Sequence, residues 1–260
     1  MNLNIYQIDA FTENVFEGNP AAVVPLNEWL PDEIMQKIAF ENNLSETAFF
    51  VPKDKGFHIR WFTPIAEVDL CGHATLAAAH VLFNHLSYKE KIIHFESKSG
   101  ILNIKREKEL LILNFPSSSI EEIEIPENLI SAFNITPVKA IQGRDDIMLV
   151  FNKESEICDL IPNYQKILES NTRGIICTAI SKEYDFTSRF FAPAIGVLED
   201  PVTGSAHTIL IPYWAKQLNK TELLAKQFSK RGGILHCKNL GTRVEIGGKS
   251  ITYLVGEIFI

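Results

Sequence analysis

Little in this chain invites a metal, a nucleotide or a nucleic acid. Its 260 residues hold only four cysteines, Cys71, Cys158, Cys177 and Cys237. They form no Cys-x-x-Cys pair, so neither a zinc nor a redox motif is indicated, and free thiols are expected. His73, His80 and His85 lie close together, but no Asp or Glu stands at ligand spacing in their helix, so the reading is of ordinary contacts with no metal. The sequence lacks Gly-x-Gly-x-x-Gly, the Walker loop Gly-x-x-x-x-Gly-Lys-Ser/Thr and Gly-x-Ser-x-Gly, the commonest signals for dinucleotides, nucleotides and serine hydrolysis. With a formal net charge of -7 and scattered Lys and Arg, it offers no basic face for phosphates. No run is long and apolar enough to span a bilayer as a helix. The start, MNLNIYQIDAFTENVF, has no early Lys or Arg and no apolar core, so no secretory signal and a cytoplasmic location are expected.

What is present is a length comfortable for two lobes, each able to bury a core. Leu3 to Phe11 alternates apolar and polar as a half-buried strand does, a turn follows at Glu17 to Pro20, and a short strand resumes at Ala21 to Val24. Pro31, Asp32 and Glu33 open a helix, and Thr47 to Val51 and Phe57 to Phe62 are strands. The Ala-rich segment from Gly72 to about Leu86 predicts a second helix, followed by strands at Ile92 to Glu96, Ile101 to Lys105 and Leu110 to Phe115. The polar, Pro-flanked stretch at 117-127 is the best linker, which gives an N-terminal lobe at 1-116, joined by the final strand at 251-260, and a C-terminal lobe at 128-250. The second lobe repeats strands and predicts its helix from about Thr203 to Leu218, an α+β arrangement.

The halves match internally. Arg60-Trp-Phe-Thr-Pro64 answers Arg189-Phe-Phe-Ala-Pro193, constant register then sets Cys71 against Asp200, and a small insertion realigns Gly72-His73-Ala74 with Gly204-Ser205-Ala206. Each lobe thus places a Gly at the mouth of a helix, where unpaired backbone N–H groups and the helix dipole favour an anion and Gly allows close approach. Two such mouths would hold a small carboxylate in the cleft between the lobes. Ordinary capped helices, with Thr203 as N-cap, are the alternative for either segment alone; the repetition favours the site.

Within it, Glu46 lies beside Leu44, Ala48 and Phe49, where desolvation would raise its pKa toward a useful general base; otherwise it is a solvated loop carboxylate. His73 either exchanges protons at the first mouth or is structural, and Asp200 either serves the second mouth or satisfies helix N–H groups. Ser205 either hydrogen-bonds substrate or sits in a first turn, and Cys71 is an acid or base or a small buried hydrophobe. Arg60 and Arg189 either reach the anion or form ion pairs across the sheet.

Five strings in order, Gly18-Asn-Pro-Ala-Ala-Val23, Ser45-Glu-Thr-Ala-Phe49, Arg60-Trp-Phe-Thr-Pro64, Glu67-Val-Asp-Leu-Cys-Gly-His-Ala-Thr-Leu76 and Glu199-Asp-Pro-Val-Thr-Gly-Ser-Ala-His207, resemble the signatures of the PhzF (phenazine-biosynthesis-like) family. The resemblance implies a diaminopimelate-epimerase-like fold of two pseudo-symmetric lobes, each a curved, mostly antiparallel sheet around a central helix, usually as a homodimer. It implies an isomerase with no metal or organic cofactor, Glu46 as the proton-transferring carboxylate, His73 and Asp200 as catalytic partners, and Gly72, His73, Gly204 and Ser205 binding substrate. Cys71 and Asn19 are further candidates. In the phenazine enzyme such a site moves a hydrogen within a cyclohexadiene carboxylic acid; related epimerases use a cysteine at each mouth, and here only Cys71 remains. A Cys71-dependent epimerase and a non-catalytic small-molecule or partner-binding protein are the alternatives.

Overall fold

The computed structural model describes all 260 residues, Met1–Ile260. They divide into two compact units, one made of Met1–Asn114 with Gly247–Ile260 and the other of Phe115–Ile246.

The first unit opens with β1 (Asn2–Ala10), antiparallel to β2 (Asn19–Pro25) with Tyr6 opposite Val23. Gly18, which leads into β2, sits at φ +66°, and a Cβ there would lie 2.2 Å from the Ala10 carbonyl oxygen. Only glycine fits, and the residue it delivers to the strand is Asn19. α1 (Asp32–Asn42) starts after Pro31 with Asp32 and Glu33 in its first turn, as the helix dipole favours, and buries Met35, Ile38 and Ala39 against Val24, Phe49 and Phe62. It stops at Asn43, which takes the left-handed conformation at φ 48° and returns its N–H to the Ala39 carbonyl.

That stop turns the chain into β3 (Glu46–Lys53), which runs parallel to β2 with Glu46 beside Ala21. α1 is therefore a crossover, and it brings Asn19 and Glu46 to the starts of adjacent strands. β4 (Gly56–Phe62) and β5 (Glu67–Val68) form a hairpin, and α2 (Gly72–Asn84) crosses to β6 (Ile92–Ser97), parallel to β4. β7 (Gly100–Glu107) and β8 (Leu110–Pro116) extend the sheet antiparallel. β6 and β8 bury alternate residues, so one face packs inward and the other meets water. α2 is buried without a break from His73 to Phe83, its polar His73, Thr75 and His80 included.

The second unit repeats this plan. β9 (Glu121–Ile123) pairs with β10 (Lys139–Gln142) after the short α3 (Glu127–Ile130), so the segment expected to link the lobes is a strand of this unit. β11 (Asp146–Val150) and β12 (Gly174–Ile180) are parallel, joined through α4 (Glu154–Cys158) and α5 (Tyr164–Leu168), as α1 joins β2 and β3. β13 (Phe186–Ala192) and β14 (Val197–Asp200) form a bulged hairpin, and α6 (His207–Leu218) crosses to β15 (Glu222–Gln227), parallel to β13. β16 (Gly233–Asn239) and β17 (Arg243–Gly248) follow, and β18 (Ser250–Phe259) returns to the first unit beside β1. The helix expected from Thr203 begins only at His207. Residues 203–206 form a turn whose bonds, such as His207 N–H to the Gly204 carbonyl at 3.1 Å, span three residues rather than four.

Candidate active site

The mouth of α2 gathers five of the residues singled out in the sequence, Gly72 being the first of the helix and Asn19, Glu46, Cys71 and His73 meeting around it. Cys71 is the extended N-cap, and its carbonyl accepts both the Thr75 N–H at 3.1 Å and the Thr75 hydroxyl at 2.5 Å. This clamp fixes the first turn and aims His73 toward the starts of β2 and β3. There Asn19 Nδ2 lies 3.2 Å from His73 Nδ1, Cys71 Sγ lies 3.5 Å from the same nitrogen, and Glu46 Oε2 lies 3.2 Å from Nε2. Glu46 is held from behind by its neighbour, since Asn42 at the end of α1 donates to the Thr47 hydroxyl at 3.0 Å. Cys71 and His73 are buried, while the Glu46 side chain keeps 18% of its surface exposed.

The contact between Glu46 and His73 has the distance of an ion pair but lacks the alignment of a hydrogen bond, and Glu46 Oε2 and His73 Nε2 have no other partner in the chain. Buried polar atoms left this way are uncommon and call for a functional explanation. Burial pulls the imidazole pKa down, but the charges of Cys71 and Glu46 outweigh it and hold His73 well above its ordinary value. The Cys71 share is absent at neutral pH, because burial first, and then the Glu46 carboxylate, push that thiol up to about 11. The Glu46 carboxylate is then the charge that still acts to raise His73 against burial at neutral pH. With Asn19 presenting its amide NH₂, Nδ1 is the acceptor and Nε2 carries the proton that faces Glu46; a second proton, on Nδ1, requires the amide to turn its oxygen inward.

One atom each of Glu46, Cys71 and His73 lie within 4.8 Å of one another, a mixture of oxygen, sulfur and nitrogen donors of the kind that holds a transition metal. The donors are already engaged with each other, and the thiol would have to lose a proton held to about pH 11.

In the second unit, the turn before α6 is tied from below by Gln227, fully buried at the end of β15. Its Oε1 accepts the Thr203 N–H at 2.9 Å, and its Nε2 donates to the Asp200 carbonyl at 2.9 Å and to the Thr203 hydroxyl at 3.0 Å. Thr203 Oγ1, accepting there, directs its own proton to the Asp200 carboxylate. Ser205 meets Arg173, whose Nη2 donates to Ser205 Oγ at 3.0 Å. Arg173 in turn forks onto Asp146 through Nε and Nη2. Burial pushes the Asp146 carboxyl up from its ordinary value, although Arg173 pulls it down.

The strand pairing corrects the internal alignment. Trp61 pairs with Val68, seven residues on, while Phe190 pairs with Asp200, ten residues on, so the three extra residues lie in the bulged hairpin before Asp200. Asp200 therefore stands where Val68 does, and Cys71 answers Thr203. The pattern then continues in step, since Thr75 bonds the Cys71 carbonyl and His207 Nδ1 meets the Thr203 carbonyl at 2.8 Å. His73 and Ser205 are the paired positions. Arg60 and Arg189 go to the sheet: each forks onto a glutamate across its hairpin, Glu67 and Glu199, and Arg60 also reaches Asp32.

Gln227, Arg173 and Asp146 were missed from sequence. Gln227 carries no signal in its strand. Asp146 does, as an acid opening a strand, Asp-Ile-Met-Leu-Val, that is buried throughout.

A family model described as phenazine biosynthesis-like protein (PhzC-PhzF) matches residues 8–256. An uncharacterized isomerase of Pseudomonas aeruginosa is 46% identical over 260 residues, covering 100% of both chains. The crystal structure of a PhzF-family phenazine biosynthesis protein from Enterococcus faecalis superposes with a TM-score of 0.98 at 44% identity, covering 100% of each. A hydroxyproline epimerase from Agrobacterium vitis shares the fold alone, with a TM-score of 0.67 at 7% identity, covering 99% of this chain and 92% of its own.

Proposed function

The chain belongs to the phenazine biosynthesis-like PhzF family and is an isomerase that acts on a small molecule, and we propose that its reaction moves a carbon-bound proton within a small carboxylic acid, with Glu46 as the base and then the acid. The observation that carries this reading is the contact of Glu46 and His73 through buried atoms, brought within 3.2 Å yet not hydrogen-bonded to each other.

A carboxylate with an oxygen so held accepts a proton from a carbon activated by a neighbouring unsaturated acid. The electron pair of the broken C–H bond moves into the conjugated system, and the negative charge comes to rest on the substrate's carboxylate oxygens. Glu46, now neutral, returns the proton at another carbon, and the double bond shifts. His73, whose Nε2 faces Glu46 at 3.2 Å, offers a donor to the developing charge. No oxidant, reductant or cofactor enters this balance. Asp200 serves the second unit's mouth, oriented by Thr203 and Gln227.

A second reading is favoured by Cys71, whose sulfur is 3.5 Å from His73. With its pKa near 11, Cys71 is a thiol rather than a thiolate at neutral pH and would act only as a proton donor, in an epimerase that takes the proton at Glu46 and delivers one from Cys71.

The test is solvent deuterium wash-in, followed by proton NMR, over a panel of small unsaturated and amino carboxylic acids. Exchange at a carbon of an unsaturated acid with migration of its double bond supports the isomerase; exchange with inversion at one centre supports the epimerase. Absence of exchange, of double-bond migration and of inversion throughout the panel contradicts both and favours a binding protein.

A further inference from the structure

Ser205 is the hydroxyl that holds, in the second unit, the repeat position of His73, and its hydrogen bonds run in one direction. Arg173 is a donor only, so Ser205 Oγ accepts from it at 3.0 Å. The Ser205 hydroxyl proton has no acceptor anywhere in the chain, because the other bonds of the residue, from Thr208 at 3.1 and 2.8 Å, are taken by its backbone carbonyl. Arg173 cannot swing away to release it. Its Nε and Nη2 fork onto Asp146, whose side chain is 1% exposed, and its guanidinium lies over Phe190 at 5.6 Å. A hydroxyl that must accept on one side and is otherwise unspent presents its proton outward, toward something that can only accept.

We propose that Arg173 is a positioning residue: anchored by buried Asp146, it locks the Ser205 hydroxyl as an outward donor for an anionic acceptor, the carboxylate of the substrate. This deepens the isomerase reading above and rests on it for the identity of the acceptor. The Arg173 charge is met by Asp146, so the preference for a carboxylate over a neutral group of the same shape rests on the fixed Ser205 proton, which bonds an ionised acceptor more strongly. The substrate specificity that follows is for acids rather than their amides.

The experiment is titration of the full chain with benzoate, a flat ring carboxylate, and with benzamide, by isothermal calorimetry. It compares wild type, Ser205→Ala, Arg173→Met, the double variant and Glu46→Gln. Ser205→Ala and Arg173→Met are each expected to weaken benzoate binding about tenfold, the double variant no more than either alone, and benzamide is expected to bind poorly throughout. Non-additivity is the signature of one residue acting through the other; a purely structural Arg173 gives effects that add. Should Arg173→Met fail to fold, Arg173→Lys keeps the charge beside Asp146 but cannot also reach Ser205, and it is expected to give the same tenfold loss. Additive losses, or no loss in either arginine variant, overturn the proposal. Loss of binding in Glu46→Gln bears on the isomerase reading instead, and wild type that ignores benzoate overturns the carboxylate as acceptor and the proposal with it.

Discussion

Glu46 and His73 meet at 3.2 Å without forming a hydrogen bond, and neither contact atom has another partner in the chain. The charge of Glu46 raises the imidazole pKa against burial, and it acts alone in this where Cys71 is a neutral thiol. Replacing Glu46 by Gln leaves the burial and removes the charge, so the pKa of His73 should fall below its wild-type value. A histidine NMR titration of the two proteins measures it, and an unchanged or higher value in Glu46→Gln contradicts the assignment.

Acid should loosen the fold through two other histidines. Burial lowers His80 and His207 to about 4 from 6.5, so both are neutral in the folded chain while their unfolded counterparts take up protons. The stability each contributes is whole above pH 6.5 and is lost as pH falls through 4, roughly 3 kcal/mol apiece at most. His73, raised instead, contributes below its unfolded pKa and loses that share as pH rises through its folded value. Urea midpoints across this range should fall with pH, and His80→Gln and His207→Gln should each flatten the slope whatever they do to the absolute stability.

Cysteine labelling should follow burial. Cys158 is exposed, whereas Cys71 is buried with a pKa near 11. Iodoacetamide at pH 7.5 should modify Cys158 first and Cys71 orders of magnitude more slowly, with activity retained after the first label. Cys71→Ala should keep at least about a tenth of wild-type turnover. Loss of activity in step with Cys71 labelling, with protection by substrate, would move the chemistry to the thiol.

Gln227→Leu should destabilise the second unit. It leaves the buried Thr203 N–H and Asp200 carbonyl without their partner, a loss of about 2–4 kcal/mol on the scale of unsatisfied buried groups. Urea unfolding measures the loss, and a change below about 0.5 kcal/mol would mean that the turn finds other partners.

Much of this was legible in the residues. Strand alternation in β1, the Ala-rich run of α2 and the Pro31 start of α1 each follow from local chemistry, and local chemistry is what a sequence displays. Glu46, His73 and Cys71 were singled out by their place at a strand start and a helix mouth and by the resemblance to the PhzF signatures, and the fold brings them together. The start of α6 was not, because Thr203 looks like an N-cap yet is held in a turn by Gln227, which lies 24 residues further on. The internal alignment slipped for a related reason: a bulge at Phe190 to Ala192 shifts the pairing without leaving a mark in composition. Arg173 and Asp146 sit in separate strands and loops, and only the fold brings them to Ser205.

The direct measurement is turnover of Glu46→Gln beside wild type in deuterated water, with thermal unfolding of both. Gln keeps the size and loses the base, so carbon-bound exchange should drop by at least about a thousandfold while the unfolding temperature stays within a few degrees. Exchange in Glu46→Gln at a rate near wild type would remove Glu46 from the reaction.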